Sequence, residues 1–355
     1  MRKLRVGVVG LGIGRVHLTG YQSHPNVEIA AVADPDAARR RDVGDEFGVR
    51  RRYETAEAML AAEHLDIVSV CTPNKYHCPL TLAALEAGCH VLCEKPMAMN
   101  AGEARTMLGA AENAGRRIMI DFAFRFTQQS WALKQQVDTG ILGDIYFART
   151  VWHRRRGMPK FGGWFGRKAL AGGGPLIDLG VHRLDLALWL MGYPKPVWVM
   201  GSTYDPIASA RARKEKKKYD VEDLAVAFIR FANGATLELE ASWAANIKER
   251  ELMETRLLGT KAGLVQRNLN EAYEFEAEIY LERDGALYDM KLHPPVPAVQ
   301  SPTHHFVDCI LENRPHTATG EEGCTVMALL DAIYRSAETG APVKIAEPES
   351  CYRES

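Results

Sequence analysis

A chain of 355 residues, at roughly 100 to 200 residues per domain, has room for about two domains, each able to bury a core of its own. Apolar residues make up 46% and charged residues 25% of it, which excludes disordered and collagen-like chains. Lys and Arg number 44 against 45 Asp and Glu, a formal net charge of −1, so no charge excess draws the chain to nucleic acid or a membrane surface and the expected partner is a small molecule.

In chain order, apolar runs first alternate with helical patterns: LRVGVV (4–9), VEIAAVA (27–33), LDIVSVC (65–71), HVLCE (90–94) and RIMID (117–121). Continuous apolar strands separated by helices predict a doubly wound parallel sheet, an α/β domain over residues 1–122. The basic start is interrupted by glycine and no small-residue cleavage site follows it, so it reads as a strand and not as a secretion signal. From residue 123 the period changes to two, in IYFARTVWH (145–153), VWVMGSTY (197–204), LAVAFIRF (224–231), TLELEASW (236–243), METRLLGT (253–260), AGLVQRN (262–268) and FEAEIYLER (275–283). Alternation joined by turns such as Asn233-Gly234 predicts an α+β domain over 123–345 with a large, mostly antiparallel sheet. Helices are expected from near Leu176 to Met191, over about 303–313 and over 321–339. The basic run RARKEKKKY (211–219) reads either as a solvated, disordered loop or as a docking site for an anionic partner.

No segment approaches the roughly 18 apolar residues of a membrane span. The seven cysteines (Cys71, Cys78, Cys89, Cys93, Cys309, Cys324, Cys351) are odd in number and lack paired C-x-x-C spacing. Reduced thiols, no metal site and a cytoplasmic location are therefore expected.

Gly10, Gly12, Ile13 and Gly14 follow the first strand and open a helix. Glycines let a backbone turn tightly and approach a pyrophosphate seated at a helix N-terminus. The spacing is G-x-G-x-G, which by itself fits a dinucleotide site or a plain structural turn. Asp34 ends the second strand, roughly twenty residues on, where an acid accepts both ribose hydroxyls and repels a 2′-phosphate. The expected cofactor is NAD, while Arg39, Arg40 and Arg41 leave NADP admissible. The third and fourth strands end in Cys71-Thr72-Pro73-Asn74 and Cys93-Glu94-Lys95-Pro96, either at the rim of the ligand crevice or as ordinary strand stops.

The run TPNKYHCPLTLAALEAGCHVLCEKP (72–96) resembles the signature of the Gfo/Idh/MocA oxidoreductases, the glucose-fructose oxidoreductase and inositol dehydrogenase family. GGGPLIDLGVHRLDLALWLMG (172–192) resembles that family's second motif. The resemblance implies a Rossmann domain, a substrate domain with an open-faced sheet, a nicotinamide cofactor and pairing of copies into homodimers or homotetramers. It makes Lys95 the catalytic lysine and Asp178 and His182 the family's acid and histidine. Asn74, His77 and Glu94 then line the nicotinamide half of the site, Trp164 stands near the cofactor, and Arg125 near cofactor or substrate. The glycine turn departs from the commoner family pattern, which leaves the phosphate contacts open.

On this reading Asp178 and His182, four residues apart on one helix, share a face. An imidazole suits removal of a hydroxyl proton at neutral pH, a lysine ammonium suits the developing alkoxide, and Asp178 orients either His182 or the substrate. His153 and Arg156, at the end of a strand, form either an anion-binding edge of the substrate pocket or a solvent-facing basic turn. The expected activity is NAD(P)-dependent hydride transfer with a secondary hydroxyl or ketone of a sugar, sugar derivative or cyclitol. The family resemblance also includes glycosidases that retain NAD through oxidation, elimination and reduction, and non-enzymatic dinucleotide-binding regulators.

Overall fold

Strands β1 (Leu4–Val9), β2 (Val27–Ala33), β3 (Arg52–Tyr53), β4 (Ile67–Val70), β5 (His90–Cys93) and β6 (Ile118–Ile120) form a six-stranded parallel sheet in the order β3-β2-β1-β4-β5-β6. This is a computed structural model and it describes residues 3–345; Met1, Arg2 and Cys351 lie outside the described residues. Every residue of β4 and β6 is buried, which is why those runs carry no polar alternation. Helices α1 (Gly14–Gln22), α2 (Ala37–Glu46), α3 (Ala56–Ala62), α4 (His77–Glu86) and α5 (Ala101–Ala114) are the crossovers. Strand order reverses at β1, which pairs with β2 on one side and β4 on the other. In such a sheet the ligand crevice opens beyond the carboxyl ends of those strands.

The chain divides into two units, Met1–Phe122 with Gln300–Met327, and Ala123–Val299 with Ala328–Ser355. The sequence assigns all of 123–345 to the second domain, whereas Gln300–Met327 packs with the first. Polar ties explain this: in α10 (Pro302–Leu311), Asp308 Oδ1 lies 3.0 Å from His24 Nε2, and the Arg117 guanidinium donates to the carbonyls of Cys309 and Arg314. Helix α11 (Gly320–Thr339) begins in the first unit and ends in the second.

The second unit carries α6 (Gln128–Asp138), β7 (Ile145–Arg154), α7 (Lys168–Ala171), α8 (Val181–Leu190), β8 (Pro196–Tyr204), α9 (Pro206–Glu215), β9 (Leu224–Phe231), β10 (Thr236–Ser242), β11 (Glu251–Gly259), β12 (Ala262–Leu269), β13 (Glu274–Arg283), β14 (Ala286–Lys291) and β15 (Val343–Lys344). Its nine-stranded sheet runs β14-β13-β12-β11-β7-β10-β9-β8-β15, antiparallel except where β7 meets β10. Helix α8 is buried along almost its whole length and packs on β7 and β11.

Two sequence expectations are corrected here, and one strand is added. The basic run is helical up to Glu215, because Asp223 Oδ2 accepts the Ile207 and Ala208 amides at its start and Ala208 and Ala212 are buried beneath its charges. The helix expected from Leu176 to Met191 opens as a π-helical turn, Leu176–Gly180, before α8. Strand β14 escaped the pattern because all its residues are exposed, although Asp284-Gly285, with φ of 55° and 78°, is the turn chemistry of a two-residue hairpin.

Candidate active site

At the end of β1, Gly10 has φ +85°, and a Cβ there would lie 2.5 Å from the Cys71 carbonyl oxygen, so no other residue fits the turn. The turn is held from the next strand: Asp34, buried, accepts the Leu11 amide at 2.8 Å. Its carboxylate also accepts the Asp36 amide and pairs with Arg39 at 3.2 Å. Helices α2, α3 and α5 start on the capping side chains of Asp36, Thr55 and Asn100, whereas α1 starts at Ile13 with no side-chain cap. Its amide dipole thus faces outward beside Gly12, around which a Cβ would meet nothing within 4 Å.

The two strand-end tetrapeptides are joined by His77. Its ring is fully buried, with Nδ1 2.7 Å from the Pro96 carbonyl and Nε2 2.8 Å from the Thr72 carbonyl. Burial holds this imidazole below its ordinary pKa, against the pull of the two carbonyls. His77 therefore braces the rim and does not line it. Pro73 sets the extended entry (φ −58°, ψ 146°) to a 3₁₀ turn at Asn74–Tyr76, and Asn74 is buried. Thr72 Oγ1 is buried with no hydrogen-bond partner among the described residues. Lys95 follows Glu94, whose Oε2 accepts the Lys95 amide at 3.2 Å.

In the second unit, Asp178 lies in the π turn and His182 in the first turn of α8, both half-buried. A π turn is common where a helix must present functional groups. Asp178 Oδ2 accepts the Trp243 indole N–H at 3.0 Å, a contact the sequence did not suggest. The His182 ring packs edge-on against Phe124, with centroids 5.0 Å apart, and beside Trp152 at 5.8 Å. Upstream, Glu222 accepts the Gly174 and Leu176 amides at 2.9 and 3.1 Å and the Tyr334 hydroxyl at 2.8 Å. Gly174 is required there, since a Cβ would fall 2.2 Å from the Glu222 carbonyl oxygen.

Other expected residues fall differently. Arg125 is fully buried and donates to both Asp185 oxygens and to Tyr193 Oη, so it braces α8 from inside and is not a substrate group. Arg183, next to His182, is enclosed by Phe124, Trp152 and Phe275, and burial pushes its guanidinium down to about 9, still charged at neutral pH. His153 faces Glu240 at 3.4 Å and is held low by burial, while exposed Arg156 donates to the Ala245 carbonyl and Asn246. Trp164 stacks on Phe165 at 3.8 Å.

Residues 4–122 match the family model described as an oxidoreductase family, NAD-binding Rossmann fold, and residues 134–345 its C-terminal alpha/beta domain. The chain belongs to the Gfo/Idh/MocA oxidoreductase family. This oxidoreductase is 35% identical to the D-glucoside 3-dehydrogenase of Escherichia coli (strain K12), over 96% of this chain and 97% of that protein. Among solved structures it resembles the aldose-aldose oxidoreductase of Caulobacter crescentus complexed with glycerol (TM-score 0.82, 29% identity, 97% of this chain and 100% of that one). It also resembles GenD2 from gentamicin A biosynthesis in complex with NAD (TM-score 0.79, 28% identity, 98% of this chain and 97% of that one). Its first unit is an NAD-binding Rossmann domain. The residues present fit that cofactor: an uncapped helix start for the pyrophosphate, a buried acid at the second strand end for a ribose, and a Thr72 hydroxyl at the rim with no hydrogen-bond partner among the described residues.

Proposed function

We propose that this oxidoreductase transfers a hydride between NAD and a secondary hydroxyl, or the matching ketone, of a sugar, sugar derivative or cyclitol. The observation that carries the reading is the pair on the π turn and α8: a carboxylate braced by an indole N–H and, four residues on, a half-buried imidazole. NAD, when bound at Gly10, Gly12, Ile13, Gly14, Asp34, Thr72, Pro73 and Asn74, supplies the hydride acceptor. His182 removes the hydroxyl proton as general base, and Asp178 orients it or a neighbouring substrate hydroxyl. Lys95 supplies positive charge to the developing alkoxide. Similarity to a D-glucoside 3-dehydrogenase supports a ring hydroxyl of a glycoside as the first substrate to try. The six described cysteines are buried thiols, which supports work in the reducing cytosol. The half-buried Leu224, Val226 and Phe228 on one face of β9 support pairing of copies into a homodimer or homotetramer, which sedimentation measures.

The test is absorbance of reduced nicotinamide during turnover with NAD, then NADP, across methyl glucosides, free aldoses, uronic acids and myo-inositol. Lys95→Ala or His182→Ala lowers kcat by about 10² to 10⁴ while NAD affinity stays within several-fold. Unchanged turnover in either variant removes that residue from the chemistry. Release of an aglycone without net nicotinamide reduction transfers the reading to a glycosidase with retained NAD.

A further inference from the structure

Beneath Lys95 lies a group of buried charges that the proposed chemistry does not use. His17 on α1 is 1% exposed, Asp121 just past β6 is 7% exposed, and Glu94 stands between β5 and Lys95. His17 Nε2 sits 3.2 Å from Glu94 Oε1 and 3.1 Å from Asp121 Oδ2. Its Nδ1 sits 3.2 Å from Ser69 Oγ, which bonds the Tyr21 hydroxyl at 2.8 Å. Glu94 Oε2 accepts the Lys95 amide, and the Glu94 and Asp121 amides donate to the Val70 and Cys93 carbonyls. One imidazole thus ties the ends of β4, β5 and β6 at the residue before Lys95.

We propose that His17 and Asp121 are positioning residues for Lys95: a protonated His17, shared by the Glu94 and Asp121 carboxylates, fixes the strand end that carries Lys95 and sets the charge beneath it. This rests on the reading of Lys95 as catalytic. Two carboxylates brought together away from water cannot both stay ionised without a counter-charge. Burial pulls the His17 imidazole down, yet Cys71 first, then Asp121 and Glu94, outweigh this and hold it well above its ordinary pKa. The carboxylates are assigned by geometry: Glu94 Oε1 and Asp121 Oδ2 are the acceptors at 3.2 and 3.1 Å from Nε2, and the carboxylates are the anions placed to hold an imidazolium there. Burial works against the Glu94 carboxylate, but His17 and Lys95 bring it below its ordinary value. Asp121 is raised, by burial and then by Glu94, and its Oδ1 is buried with no hydrogen-bond partner among the described residues.

The other titratable groups facing the trio are Tyr21 on α1, Cys71 after β4, His77 on α4, Cys93 on β5 and Lys95. Burial raises Tyr21, Cys71 and Cys93 and lowers His77, so these four do not change charge between about pH 7 and 8.

The full-length protein, labelled with ¹⁵N at histidine and lysine, provides the test by NMR. In the wild type the His17 ring, assigned by its loss in His17→Gln, is doubly protonated at pH 8, and the Lys95 amide shift is flat across neutral pH. In His17→Gln the carboxylate pair, without its counter-charge, takes up a proton, and the Lys95 amide titrates with a midpoint about one pH unit or more above the ordinary carboxyl range. His17→Gln with Asp121→Asn leaves Glu94 alone, and the titration disappears. With a sugar that the panel turns over, kcat of His17→Gln falls as pH drops through the midpoint read at the Lys95 amide, and the double variant regains the wild-type profile. A neutral His17 ring at pH 8 overturns the proposal, as does a Lys95 amide that is equally flat in all three proteins. The wild-type ring measurement stands even if a variant fails to fold. Lys95→Ala is the separate control: full turnover in it sinks the reading of Lys95, whereas lost turnover with unmoved pH profiles in the other variants sinks the positioning role alone.

Discussion

Asp34 does two jobs with one carboxylate. It holds the glycine turn through the Leu11 amide, with Arg39 at 3.2 Å beside it, and on the proposed reading the same carboxylate disfavours a 2′-phosphate. Asp34→Ser removes the repulsion and releases Arg39, so the ratio of kcat/KM for NADP over NAD should rise about 100-fold; an unchanged ratio would show that Asp34 does not read the ribose. Trp243 donates to Asp178 at 3.0 Å, so on the proposed reading it acts on the other half of the chemistry. Trp243→Phe keeps the ring and removes the donor, which should lower kcat/KM about tenfold, since a bond to a charged group contributes about 1.5 kcal/mol. Steady-state kinetics beside a thermal melt separates this from a packing defect, which would move the melt and leave the rate of folded enzyme intact. Both residues sit at strand ends, where sequence pattern is weakest. The place of Asp34 at a strand end was legible from its distance to the glycines, but Trp243, 65 residues from Asp178 in the chain, had no local signal.

Among the elements, the π turn and α8 depend on a buried acid from a different segment. Glu222 meets the Gly174 and Leu176 amides and the Tyr334 hydroxyl. Burial raises the Glu222 carboxyl above its ordinary value, against the lowering effect of those donors. Between the ordinary carboxyl pKa and the raised one, the folded chain holds more protons than the unfolded chain. This contribution to stability is full below the ordinary value and is lost as pH rises through the folded pKa. Thermal melts across acidic to neutral pH should therefore show this component in the wild type and a flatter curve in Glu222→Gln; identical slopes would refute it. Capping also explains α9. Its basic composition resembles a disordered loop, yet Asp223 seats its first amides and Arg211 pairs with Glu215 one turn on.

At the scale of the whole chain, the segment Gln300–Met327 returns to the first unit, and Arg117 is its tether. The guanidinium donates to the Cys309 and Arg314 carbonyls and to Asn313 Oδ1. Arg117→Ala should cost about 2 kcal/mol, a fall in Tm of roughly 5 °C, while an unchanged melting curve would show the tether to be idle. No described helix is long and apolar enough to cross a membrane. The sequence by itself determined the two fold classes, most strand positions and the motifs around Gly10, Lys95 and Asp178, because apolar periodicity and glycine or proline spacing act over a few neighbouring residues. Only the tertiary structure decided that Gln300–Met327 joins the first unit, that Arg125 is an internal brace and that His17 meets Asp121. Those outcomes depend on which buried polar groups find partners across long stretches of chain, and such pairing leaves no periodic trace in sequence.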